Sequence, residues 1–128
     1  NNIPLDIQLV KMVNFNRKDT EKAMEELMKL KSPPTAIFTF KSDITLDALL
    51  FLKSKYPDKL DLIDFTDFGN LPMFDYLDHK PIASIKEDFF EVGKRAAELL
   101  FQLIKEKKIN LNDVPQNIEI PCKLVIPK

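Results

Sequence analysis

The apolar positions of this chain alternate between short runs and helical spacings, and the changes divide it into strand and helix segments. Residues 9–15 (LVKMVNF) form a short apolar run and predict a strand. Over residues 19–30, Ala23 and Leu27 stand four apart, as do Met24 and Met28, which puts them on one helix face. Asn16 or Asp19 can cap that helix, because a side-chain oxygen there accepts an orphaned N–H of the first turn. Ser32-Pro33-Pro34 stops it, since the residue before a proline is pushed out of the helical region. Residues 35–40 (TAIFTF) predict a short buried strand. Ser42 or Asp43 is the next N-cap candidate, opening a helix over 44–56 that ends near Pro57. That helix is apolar nearly all round, from Ile44 and Leu46 through Leu52, so it is buried on more than one side.

Residues 60–65 (LDLIDF) alternate apolar and acidic positions and predict a third strand. A loop rich in aromatic and turn residues follows over 67–80, and a fourth short strand over 81–86. Asp88 opens the most strongly patterned helix, with Glu91 at capping-box spacing. Phe89, Val92, Ala96, Leu99, Leu100, Leu103 and Ile104 give it a wide apolar face, and the basic run 105–108 (KEKK) suits the negative end of the helix dipole. Residues 110–117 read as a linker and 118–126 as containing a last strand, interrupted by Pro121, which suggests an edge or a kink there. The strand–helix alternation predicts an α/β protein of three layers with a mainly parallel sheet. In such sheets ligands bind beyond the carboxyl ends of the strands. The junctions to weigh are therefore 15–17, 41–43, 66–69 and 87–89.

Composition narrows the chemistry. The 128 residues suit one domain, and 19 basic against 20 acidic residues lack the basic footprint of a nucleic-acid-binding domain. No apolar run approaches the ~18 residues of a membrane span, so no membrane partner is expected. One cysteine excludes an intrachain disulfide, one histidine excludes His-rich metal clusters, and two glycines exclude the glycine-rich phosphate loops. His79 lies in a polar loop without converging metal ligands and reads as a surface residue. Cys122 reads as a buried or edge structural cysteine. Asp61, Asp64 and Asp67 look like a carboxylate cluster, but strand alternation puts 61 and 64 on opposite faces. No nucleophile–base or carboxylate pair emerges, so neither enzyme activity nor a cofactor is expected.

Several segments, in order, carry a resemblance: Pro34-Thr35-Ala36-Ile37-Phe38, Ala48-Leu49, Asp64-Phe65-Thr66-Asp67, Pro81-Ile82-Ala83-Ser84-Ile85, the series Phe89…Gly93…Ala96-Ala97…Leu99-Leu100, and the closing Ile120-Pro121-Cys122-Lys123-Leu124-Val125-Ile126. Together they resemble the C-terminal part of the effector-binding region of the lactose-repressor (LacI/GalR) family. That family has a periplasmic-binding-protein-like fold of two α/β subdomains, with ligand between them. The resemblance implies a piece of a larger cytoplasmic transcription regulator. Residues 1–85 would belong to the second subdomain, whose first strand is missing. Residues 86–128, a crossover helix and terminal strand, would pack on the absent first subdomain.

The resemblance also implies partners: a small-molecule effector of carbohydrate type, a second copy in a homodimer, and operator DNA through a headpiece outside this chain. A periplasmic sugar-binding protein or sensor domain is the alternative. Phe15 and Phe89 match aromatic positions that line the family's cleft. Lys41 and Ser42 stand where the family has Asn-Asp, Asp64 replaces the glycine of its GFDD motif, and Thr66 replaces the first aspartate. Lys41 adds a charge that suits an acidic ligand. Asp43 is a cleft candidate as well as a cap, and Thr66 and Asp67 either bind ligand hydroxyls or shape a turn. The ligand set expected is Phe15, Lys41, Asp43, Thr66 and Phe89. Leu46, Leu50, Phe74 and Tyr76 are the expected dimer contacts, because the family pairs through this helix and the loop after it.

Overall fold

The computed structural model describes residues 3–106 and 117–127. Asn16 caps helix α1 (Arg17–Met28), its side-chain oxygen accepting from the Asp19 N–H at 2.9 Å. Helix α1 turns Thr20, Met24, Leu27 and Met28 inward, the face its i, i+4 spacing calls for. Strand β1 (Ala36–Thr39) follows the double proline and leads directly into helix α2 (Ser42–Lys55). Helix α2 buries Ala48, Leu49, Phe51 and Leu52, because α1 packs on one side of it and strands β1 and β2 (Asp64–Phe68) on the other. These residues form one core with Leu60, Ile63, Phe65 and Phe74.

Strand β3 (Ala83–Lys86), helix α3 (Phe89–Glu106) and strand β4 (Lys123–Val125) complete the order. The sheet runs β1-β2-β3-β4, with the first three strands parallel and β4 antiparallel to β3 at the edge. The class is the expected one, an α/β fold with a mainly parallel sheet. Its register sets Thr39 beside Asp67, and Asp67 beside Ser84, all buried on the face that α2 covers. The opposite row, Phe38 and Thr66 with Phe68, Ile85 and Leu124 further along, faces away from α1 and α2. Phe38 on that row is 61% exposed. Helix α3 starts on Asp88, whose carboxylate accepts from the Glu91 N–H at 3.0 Å, and its Phe89, Val92, Leu100 and Ile104 are exposed.

Four sequence expectations need correction. Residues 9–15 are not a strand. A 3-10 turn occupies Ile7–Leu9, and the extended residues after it join no ladder among the described residues. The third strand starts at Asp64, because Pro57 opens a 3-10 turn, Pro57–Leu62, that takes up the first half of the alternating segment. Neither Ser42 nor Asp43 caps α2. The cap is Lys41, without a side-chain hydrogen bond, and Asp43 lies in the first turn. Phe74 sits in the short turn Pro72–Tyr76 and fills the core at 4% exposure, so it is not a surface residue. The linker 110–117, apart from Asn117, and the second half of the basic run, residues 107–108, lie outside the described residues.

Leu52 is fully enclosed where α2 meets the sheet, whereas Leu62 is largely exposed. Leu52→Ala is expected to cost about 2–5 kcal/mol of unfolding free energy, and Leu62→Ala about 0.5 kcal/mol or less. Urea titrations of the two variants beside the unmodified chain measure both.

Candidate functional site

The carboxyl ends of β1, β2 and β3 meet the turn before α1 around a cavity of about 390 Å³. Phe15 comes from that turn, Phe40 and Lys41 from the end of β1, and Ser42 and Asp43 from the first turn of α2. Phe68, Gly69 and Leu71 come from β2 and beyond, and Glu87 and Phe89 from the β3–α3 junction. Four phenylalanines therefore border one space. Phe40 and Phe68 stack with ring centroids 5.9 Å apart, and the Lys41 ammonium lies 5.4 Å above the Phe15 ring. The same ammonium stands 3.8 Å from the Asp43 carboxylate.

Phe15 has φ 50, a left-handed backbone that costs a bulky residue on the order of 1–3 kcal/mol. Asp19 holds the turn in place. Its Oδ2 accepts from the side-chain amides of Asn14 at 2.8 Å and Asn16 at 3.0 Å, and from the Asn14 backbone N–H at 3.4 Å. The Asn14 side chain, and after it that of Asn16, pulls the Asp19 carboxyl below its ordinary value. The same two hydrogen-bond partners thus favour the charged form and fix the ring of Phe15 at the cavity.

A buried polar layer lies behind the first turn of α2. The Ser42 hydroxyl donates to Asp67 Oδ2 at 2.5 Å, and Thr39 donates to the Lys41 carbonyl at 3.2 Å. With its proton used there, Thr39 accepts from Thr45. Asp67 is 1% exposed, and its Oδ1 has no hydrogen-bond partner among the described residues. Gly69 has φ 137, and a Cβ there would stand 2.6 Å from the Ser42 oxygen. Its lack of a side chain leaves room for that hydroxyl.

Of the sequence candidates, Phe15, Lys41, Asp43 and Phe89 border this one cavity. Thr66 does not. It sits within β2 on the row of Phe38 and Ala83, and the chain reaches the cavity only at Phe68 and Gly69. Ser42, Phe68, Gly69 and Glu87 lay inside the junctions that the strand order singles out. Phe40 ended an apolar run and passed for core, although its place at a strand's carboxyl end was the available signal. The expected dimer residues Leu50 and Tyr76 are exposed and border a shallow hollow beside His79, whose Nδ1 is 3.2 Å from Asp61. Cys122 is exposed just before the edge strand β4. Among the described residues no three His, Cys, Asp or Glu side chains group as metal ligands, and no helix is long and apolar enough to cross a membrane.

A second groove, of about 340 Å³, runs along the free edge of β1. Ile37, Phe38, Thr39 and Phe40 form one wall, the extended stretch around Lys11, Met12 and Val13 the other, and α1 and α2 the floor.

In open α/β domains an aromatic-lined hollow at the carboxyl ends of parallel strands is where small molecules bind. The profile of the periplasmic binding protein-like domain matches residues 2–126, and the chain belongs to that family. Its relatives place it with the effector-binding domains of LacI-type regulators. It is 29% identical over 110 residues to the HTH-type transcriptional repressor CytR of Escherichia coli K12, covering 84% of this chain and 31% of CytR. A LacI transcriptional regulator of Bacillus cereus subsp. cytotoxis superposes with TM-score 0.70 at 28% identity, covering 88% of this chain and 38% of that one. A LacI family regulator of Enterococcus faecium with bound ribose shares the fold at TM-score 0.65 and 18% identity, over 87% of this chain and 39% of that one. The chain spans about a third of the length of the curated relatives it matches.

The Asp19 staple makes a pH prediction. A carboxyl held below its ordinary 3.8 stabilises the turn above that pH and loses this effect as the pH falls through the lower folded-state value. The backbone amide chemical shift of Asn14, followed by NMR from about pH 5 to about pH 2.5, is expected to titrate with a midpoint below the ordinary carboxyl value. Asp19→Ala is expected to remove that titration.

Proposed function

We propose that this chain is the effector-binding and dimerisation region of a LacI-type transcription regulator, and that its effector is a small carbohydrate or a close derivative. One observation carries the reading: residues from separate segments, Phe15, Lys41, Asp43 and Phe89, converge on one cavity at the carboxyl edge of the sheet. Rings that wall a cleft suit the apolar faces of a sugar. The ribose in the Enterococcus faecium regulator, which shares this fold, supports the ligand class.

In this reading the hollow is one half of a cleft. The exposed apolar residues of α3, the bare sheet face around Phe38 and the groove along β1 are surfaces that the remainder of a longer polypeptide covers. Ligand draws the two halves together, changes the angle of the dimeric core and so alters how headpieces outside this chain meet operator DNA. That is coupling of two sites through two global states. Leu46, Leu50 and Tyr76 make the dimer contact, with Phe74 supporting them from the core.

Thermal unfolding of the full-length protein against neutral sugars, sugar phosphates, uronic acids and nucleobases tests the ligand. A true ligand at a hundred times its Kd adds about 2.7 kcal/mol, a shift of several degrees. Phe15→Ala is expected to abolish the shift without unfolding the protein; a panel without any hit overturns the cleft reading. Light scattering on a sizing column tests the pairing. Leu50→Glu is expected to turn a dimer into a monomer, and an unchanged mass removes this helix from the interface.

A further inference from the structure

Helix α2 brings its N-terminus and Lys41 to the cavity, a pairing that ordinarily attracts an anion. The groups around it argue the other way. Lys41 is already engaged by Asp43 and the Phe15 ring, Glu87 faces the same space, and the buried Asp67 side chain lies behind Ser42 as its hydrogen-bond acceptor. Ser42 is 2% exposed and borders the cavity between Lys41 and Gly69. A serine hydroxyl has one proton and two acceptor lone pairs. The proton here goes to Asp67 Oδ2, an acceptor-only group when ionised. What Ser42 has left to offer is an acceptor.

We infer that Asp67 is a positioning residue of the cleft: by taking the Ser42 proton it makes Ser42 a hydrogen-bond acceptor, so that the ligand group selected at the start of α2 is a donor, such as the hydroxyl of a neutral polyol, and not a carboxylate or phosphate oxygen. The inference rests on the cleft reading above and reverses the expectation that Lys41 selects an acidic ligand. Gly69 belongs to the same device, because a side chain there would displace the Ser42 hydroxyl from its place beside Asp67.

The test is calorimetric titration of the full-length protein with two probes, D-ribose and sulfate, the second an anion that only accepts. The unmodified protein is expected to bind ribose and not sulfate. Ser42→Ala is expected to weaken ribose about threefold to tenfold, the size of one hydrogen bond. Asp67→Asn is expected to weaken ribose and to gain sulfate binding, because the asparagine amide can donate to Ser42 and release its proton toward the cavity. A purely structural role for Asp67 weakens ribose without any gain of sulfate binding; only the orienting role brings that gain. Should Asp67→Asn not fold, Ser42→Ala still decides: unchanged ribose affinity overturns the inference. Preference of the unmodified protein for sulfate, or a panel with acidic hits only, overturns it while leaving the cleft reading in place. A panel without any hit removes both.

Discussion

The seating of α2 between α1 and the sheet is the constraint on which the rest of this structure depends. Leu52, Ala48 and Leu49 have no solvent side left, so the helix can neither rotate nor slide without opening a void in a close-packed interior. Its N-terminus is fixed separately. Lys41 caps it without a side-chain bond, and the anchor is the buried layer behind the first turn, where Ser42 reaches Asp67 across to β2. Apolar packing along the helix and a hydrogen bond at its end thus determine one position together. The cleft inherits that position, because Lys41, Ser42 and Asp43 ride on the same turn.

The polar layer carries a cost that ordinary folding would remove. A carboxylate with one hydrogen bond and a second oxygen without a partner among the described residues is expensive to bury. An apolar residue in β2 at that point would pack against α2 as Phe65 does. Strain at Phe15 has the same character, since a bulky side chain is held in a left-handed backbone by a three-residue polar staple. Both departures from local economy lie at the carboxyl edge of the sheet, where the cavity is, and neither occurs along the α1–α2 contact. Stored strain and buried polarity of this kind concentrate where a site is shaped.

The legibility of the sequence follows the same division. Where burial is apolar and periodic, the pattern was enough: the i, i+4 pairs of α1, the all-round apolar α2, the Asp88 start of α3 and the proline-marked edge at β4 stand within a few residues of expectation. It misled where polar groups turn inward. In β2 the inward positions are Phe65 and Asp67, so an alternation rule that sends acids to solvent shifts the strand toward the Pro57–Leu62 turn. Residues 9–15 have the composition of a strand but no neighbour to pair with among the described residues, and a ladder needs two partners. The strand order located the cleft junctions, while the choice between Thr66 and Gly69 depended on where β2 ends. No periodicity within the segment encodes that boundary.

The surfaces left open describe the assembly that this chain fits. The row from Phe38 to Leu124, the apolar side of α3 and the groove beside β1 are exposed together, and exposed apolar area on this scale is unusual for a free-standing domain. The three surfaces differ in what they require. A bare sheet face accepts a packed helix, and an amphipathic helix such as α3 accepts a second layer. A strand edge facing an extended segment offers free backbone donors and acceptors, which only another strand satisfies in full. The cleft has a weaker requirement, because its residues are already placed by α2 and the Asp19 staple. The residues at the start of α2 are therefore placed by contacts within this chain, whereas the sheet face, α3 and the β1 edge each keep an apolar or backbone surface without a partner among the described residues.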